Sequence, residues 1–358
     1  MPVILRNPRL WFALLVLLLA ASVPWLPATK PYQSLVMTTC LYVTLSVAWN
    51  VIGGYAGQTS FGHAAFYGLG AYTTAAFALG KLGGWQVPAL ATLPLAGVVA
   101  ASYAALIGYP TLRLRGPYFA IATIGVGEAT RLLMLNTPAL TGGASGLTLP
   151  QPQTPAAFQL YALQMFYVML AWLVLVILIS AWIKNSRFGL GLLAVNMDTD
   201  AAETVGVNTA RAKIIAFAIS AGLVGVSGSL YAQMLFFIDP NAVFGINNSI
   251  AMVLMATIGG VGTLWGPVLG AIVYYVVDNR LSTTELDLLG QRIALTNFTL
   301  LLYGTLLVAI ILAEPRGLVG IGARVIKRLT RRGPSVPQLL KQPAPPPEGK
   351  GEVTERAP

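Results

Sequence analysis

A succession of apolar runs, each near the length that crosses a lipid bilayer, constrains this chain more than any other feature. Residues 10–26, 34–52, 61–79, 87–107, 118–135, 161–183, 214–238 and 293–312 form such runs. Each approaches the roughly 20 residues a helix needs to cross a hydrocarbon core of about 30 Å. Hydrophobic residues make up 56% of the 358 and charged residues 9%, with a mean hydropathy of +0.72. A soluble domain carries about a quarter charged residues and cannot cover so much apolar surface. The expected fold class is therefore all-α, a polytopic integral membrane protein.

The run at 246–277 is too long for one span and is interrupted by Gly259-Gly260-Val261-Gly262-Thr263-Leu264-Trp265-Gly266-Pro267. Charge decides how it divides. If it forms two short spans, the total is ten and both termini share one face. That face then carries 17 Lys and Arg, among them Arg113, Arg115, Lys184, Arg187, Arg211 and Lys213, against Lys30, Lys81, Arg280 and Arg292 opposite. One long span would carry the basic tail across the membrane, against the positive-inside rule. About ten helices, both termini cytoplasmic, are expected. The first run follows Arg6 and Arg9 without an A-x-A cleavage site and reads as a retained anchor. Residues 1–317 form the expected transmembrane domain. Residues 318–332 are a basic segment suited to lie on anionic lipid, and 333–358 a disordered tail. The net charge of +10 gathers at span ends and in that tail, so it points to membrane lipid and to no nucleic acid.

Between two apolar runs lies Gly53-Gly54-Tyr55-Ala56-Gly57-Gln58-Thr59-Ser60-Phe61-Gly62-His63, with the only histidine of the chain. Irregular polar backbone at membrane depth is tolerated only where protein or a water-filled cavity covers it. This segment therefore points to a solute pathway, with Gly57, Gln58, Ser60, Gly62 and His63 as its candidate residues. Glu128 is the one carboxylate well inside a span, which costs at least ~2.5 kcal/mol on insertion scales, so it joins the candidates. Arg131 follows at i+3, and a self-neutralised pair on one helix face is the competing reading. A single histidine and a single cysteine, Cys40, make no metal site, and no P-loop for ATP occurs. No metal or cofactor is expected, and nothing supports an embedded enzyme.

Lys184 to Lys213 is the one sizeable polar loop on the inner side. Asp198 or Thr199 is suited to N-cap a short helix, with Asp200 and Glu203 in its first turn and Gly206 as its stop. Such a helix is either a docking knob or a solvated connector.

Taken together, residues 54–66, Arg115-Gly116-Pro117-Tyr118-Phe119-Ala120-Ile121-Ala122-Thr123, Thr141-Gly142-Gly143-Ala144-Ser145-Gly146-Leu147, Ser186-Arg187-Phe188-Gly189 and Ala201-Ala202-Glu203-Thr204-Val205-Gly206 resemble the permease subunits of branched-chain amino-acid ABC importers. The second of the two paired permeases, with its Arg-Gly-Pro-Tyr-Phe block, is the better likeness. The resemblance implies import of leucine, isoleucine, valine or related solutes, urea among them. It implies two separate ATPase subunits that bind the ATP, a sister permease, and a periplasmic binding protein, all at the bacterial inner membrane. It adds Thr141, Gly142 and Gly143 to the pathway. It also makes Asp198, Asp200, Ala201, Ala202, Glu203 and Gly206 the coupling contact with the ATPase. A stand-alone channel or secondary transporter is the other expectation; such proteins usually carry several intramembrane carboxylates or histidines, and here Glu128 stands alone.

Overall fold

The computed structural model describes residues 18–25, 32–283, 285–288, 291–294, 304–305, 317–320 and 324. The elements below belong to the compact unit formed by residues 1–321; residues 322–358 form a second unit. The expected span at 293–312, most of the one at 10–26, and the tail readings for 318–332 and 333–358 lie largely outside the described residues.

The chain builds α1 (Gln33–Asn50), a π-helical turn (Val51–Tyr55), α2 (His63–Ala78), α3 (Leu93–Thr111), α4 (Pro117–Leu135) and α5 (Pro155–Asn185). After these come α6 (Arg187–Met197), α7 (Thr199–Thr204), α8 (Thr209–Leu235), α9 (Ile246–Gly259) and α10 (Gly266–Thr283). Two strands, β1 (Leu147–Thr148) and β2 (Phe237–Ile238), pair antiparallel, as do β3 (Glu285–Leu288) and β4 (Gln291–Ala294). The all-α membrane architecture follows directly. In lipid each backbone N–H must be satisfied within its own segment, so apolar runs become helices. Among the described residues six segments are long and apolar enough to cross a membrane: Gln33–Tyr55, Ala89–Thr111, Pro117–Leu135, Pro155–Asn185, Thr209–Leu235 and Pro240–Gly259.

Several boundaries depart from the sequence-based expectation. The 246–277 run divides, as charge required, into α9 and α10 on either side of residues 260–265. α10, however, runs on to Thr283, and Ile293 with Ala294 belongs to β4 rather than to the start of a span. α5 is 31 residues, about 46 Å at the standard rise, because Thr154 accepts the Ala157 N–H and starts the helix six residues before the apolar run. α2, at 16 residues or about 24 Å, is shorter than a hydrocarbon core and survives by being buried.

The core is α8, packed on α2 and α3 and flanked by α1. Small residues allow this. A Cβ on Gly70 of α2 would lie 1.8 Å from the Gly225 carbonyl of α8, and one on Gly228 would lie 1.9 Å from the Tyr67 carbonyl. Backbone meets backbone, as in small-xxx-small interfaces. Phe66 and Phe119 pack edge-on against Phe217, all three buried, beside α2 and α8.

Candidate functional site

The site begins where α1 fails to end cleanly. Past Asn50 the chain widens into the π turn, then leaves helical geometry until His63. Gly57 stands at φ +68°, and the Gln58 N–H reaches back to the Ile52 carbonyl at 3.1 Å. Gln58 is half-buried, and its amide donates to the Ala56 carbonyl at 3.4 Å. Gly62 sits against α4, where a Cβ would lie 2.7 Å from the Thr123 carbonyl; the Phe61 N–H donates to Thr123 Oγ1 at 3.1 Å.

The second break, between α9 and α10, is stitched to the first by Asn50. This fully buried side chain donates from Nδ2 to the Thr263 carbonyl at 3.0 Å and accepts the Gly262 N–H on Oδ1 at 2.9 Å. Gly54 lets the two backbones meet: a Cβ there would lie 2.6 Å from the Gly262 nitrogen. Irregular backbone that would orphan polar groups in lipid is thus satisfied across 212 residues of sequence. Sequence reading missed Asn50; a lone amide inside an apolar run was the available signal.

His63 is fully buried at the head of α2 and is held at both nitrogens. Ser220 Oγ donates to the Ala48 carbonyl at 2.7 Å, so it accepts from His63 Nε2, 2.9 Å away. Nδ1 then accepts from Ser60 Oγ at 3.0 Å, which fixes a neutral imidazole with the proton on Nε2. Phe66 and Phe217 enclose the ring edge-on. Both partners of the ring are serine hydroxyls. The chain of bonds joins α1, the break, α2 and α8.

The other candidates are distributed elsewhere. Glu128 lies on α4 with its side chain 48% exposed and forms a forked pair with Arg131, Nε to Oε2 at 3.0 Å. Arg131 also reaches Asn241 Oδ1. It is the self-neutralised arrangement the i+3 spacing allows. Glu128 is adjacent to the first break through Gly127, where a Cβ would lie 3.6 Å from Gly62 Cα. Thr141, Gly142 and Gly143 are not brought to the breaks. They form a tight turn after α4, in which Thr141 Oγ1 donates to the Met134 carbonyl and receives the Gly143 N–H. Nearby, β1 and β2 close that end of the bundle.

At the end that holds the breaks, α6 and α7 form a compact projection. Ser186 caps α6 by accepting the Gly189 N–H, and Asp198 caps α7 by accepting the N–H groups of Asp200 and Ala201 at 2.8 and 2.9 Å. Gly206, at φ +87°, ends the turn. Ala202 is buried beneath α7, while Ala201 lies exposed on it; Met197 and Val205 flank the helix at 79% and 77% exposure. One expectation is corrected. With Asp198 as the cap, Asp200 occupies the first turn but Glu203 falls beyond it, and its carboxylate instead accepts a bond from Thr209 Oγ1. Asp200 is engaged within the chain too, forked to Arg115 at 2.7 and 3.1 Å, which raises the Arg115 guanidinium above its ordinary value. Both partners are solvent-exposed, so the pair orients α7 more than it stabilises the fold.

Residues 32–311 match the family described as branched-chain amino acid transport system, permease component. The chain is 31% identical over 337 residues to the high-affinity branched-chain amino acid transport system permease protein LivM of Escherichia coli K12, covering 85% of this chain and 74% of that protein. It is 23% identical over 312 residues to a probable LivM permease of Methanocaldococcus jannaschii, covering 78% and 90%. It is also 24% identical over 300 residues to the Escherichia coli K12 permease LivH, covering 78% and 91%. No solved structure matches the chain. The matched residues take in both helix breaks, the histidine clamp and the capped projection, and the chain belongs to the branched-chain amino-acid transport permease family.

Proposed function

We propose that this chain is one permease subunit of an inner-membrane ABC importer for leucine, isoleucine and valine. It pairs with a sister permease, receives substrate from a periplasmic binding protein, and is driven by two ATPase subunits docked on α6 and α7. The observation that carries the reading is the capped α7, solvent-exposed and flanked by exposed Met197 and Val205, at the same end of the bundle as two interlocked helix breaks. An exposed apolar rim around a rigid short helix is what a docking cleft buries. The names of the relatives support the substrate class, and the first break, with Gly57, Gln58, Ser60, Gly62 and neighbouring Glu128, supplies the pathway wall.

The docking end faces the cytoplasm in this reading. Arg113, Arg115, Lys184, Arg187, Arg211 and Lys213 cluster there, as the positive-inside rule requires. In this reading both termini are assigned to that side as well, on the positive-inside rule.

Reconstitution of the chain with its ATPases, sister permease and binding protein in proteoliposomes tests the reading. Labelled leucine enters only with ATP, excess isoleucine or valine competes, and urea does not. Competition by urea alone would place the chain in a small-solute branch of the family; leucine entry without the ATPases would make it a stand-alone transporter.

A further inference from the structure

The projection carrying α7 is hydrogen-bonded to the first break by Asn196. Asn196 lies on the last turn of α6, two residues before the Asp198 cap. Its Nδ2 donates to the Gly54 carbonyl at 3.1 Å, within the π turn. Its Oδ1 lies over Gly57 so closely that a Cβ there would stand 2.1 Å away. A π turn followed by a left-handed residue leaves carbonyls without the usual helical donors, so an amide from another element is needed to satisfy one. On the far side of the same turn, Asn50 holds Gly262 and Thr263 of the second break. Asn196, Gly54 and Asn50 thus form a continuous run of contacts from the docking helix, through the first break, to the second.

α7 is also tied to α8, by Thr209 Oγ1 donating to Glu203 and by Lys213 Nζ donating to Thr199 Oγ1 at 3.4 Å, and to Arg115 through Asp200. None of these bonds ends on the first break, and the Arg115–Asp200 pair lies in solvent. The Asn196 bond ends on backbone, at the point where the helix has already lost its regular ladder. A displacement of α6 and α7 therefore moves the Gly54 peptide directly.

We infer that Asn196 is a positioning residue for transport: it converts movement of the docked α6–α7 projection into movement of the Gly54–Gly57 backbone. This rests on the ABC-permease reading above. Asn196 need not touch either the ATPase or the solute. Its amide is required because the site calls for a donor to the Gly54 carbonyl. A carboxylate would set two acceptors face to face, and a leucine would offer neither donor nor acceptor.

The test uses the reconstituted complex with Asn196→Asp and Asn196→Leu, measuring leucine uptake and ATP hydrolysis in parallel. Hydrolysis should stay within about twofold of wild type while leucine moved per ATP falls about tenfold, the scale of a coupling carried by one hydrogen bond. In a second measurement, a cysteine at Gln58 (in a Cys40→Ala background) should change its maleimide reactivity when ATP is trapped on the complex, and Asn196→Leu should abolish that change. Uptake and hydrolysis falling together would make Asn196 part of the docking surface and overturn the proposal. Unchanged uptake per ATP, or failure of the Asn196→Leu complex to assemble, overturns it as well. A wild-type complex that moves no leucine with ATP is a separate outcome, which refutes the ABC-permease reading itself.

Discussion

Gly57→Val and Gly62→Val each abolish ATP-driven uptake while the chain still inserts and assembles with its partners. At Gly57 two independent costs combine. The backbone stands at φ +68°, where a β-branched residue is strained, and the new Cβ would sit 2.1 Å from Asn196 Oδ1. Strain of this kind costs about 1–3 kcal/mol, and relieving it requires the π turn to re-form elsewhere. At Gly62 the obstacle is the Thr123 carbonyl of α4, 2.7 Å from a Cβ, so the break must lift off α4. The change is local to the pathway because Gly57 is exposed and Gly62 is the N-cap of α2 rather than a residue of a helix interior. Uptake by reconstituted complexes, normalised to assembled protein, reads the effect. Wild-type rates in both variants would reduce the segment to a connector.

Gly70→Val has a larger effect on folding. Its Cβ would lie 1.8 Å from the Gly225 carbonyl, and a main-chain atom in the middle of α8 cannot rotate away as a side chain does. α2 and α8 must separate, and with them the α8–α3 contact, where a Cβ on Gly225 already would stand 2.4 Å from Ala100 Cβ. Overpacking a core costs about 1–3 kcal/mol where side chains can adjust, and more where backbone must move; net stability is only about 5–15 kcal/mol. Gly70→Val should therefore leave little folded protein after detergent extraction, read as loss of the monodisperse peak on size exclusion. Gly125→Ala on α4, where an added Cβ meets nothing within 4 Å, should extract like wild type.

These glycines mark what the sequence discloses and what it hides. Apolar run length locates the helices, because a bilayer leaves no other conformation for such segments. The Gly53–Gly62 break and the cap at Asp198 are equally local signals, carried by residue types within one or two turns, and both stand as expected. Glu203 was misplaced because a helix of six residues has scarcely more than a first turn, so the choice of cap decides the role of every later residue. What remained hidden joins residues far apart. Ser220 is 157 positions from His63, Gly54 is 142 from Asn196, and Gly262 is 212 from Asn50. Hydropathy periodicity carries no information at that range. Asn50, His63 and Ser220 are each a buried polar group in a mostly apolar stretch, which announces that a partner exists without naming it. The Thr141–Gly143 turn shows the converse, since its motif is conspicuous in sequence yet lies away from both breaks and closes the other end of the bundle.

The central claim, that the α6–α7 projection is the cytoplasmic ATPase dock, is tested most directly by the reactivity of a cysteine at Thr204. In a Cys40→Ala background, Thr204→Cys should be inert to an impermeant maleimide added to intact spheroplasts and should react in inverted vesicles. Gly83→Cys, in the turn beyond α2 at the opposite end, should behave the other way round. Adding the ATPase subunits to the inverted vesicles should then suppress labelling at Thr204. Labelling of Thr204→Cys from outside, or undiminished labelling with the ATPases bound, would contradict the account.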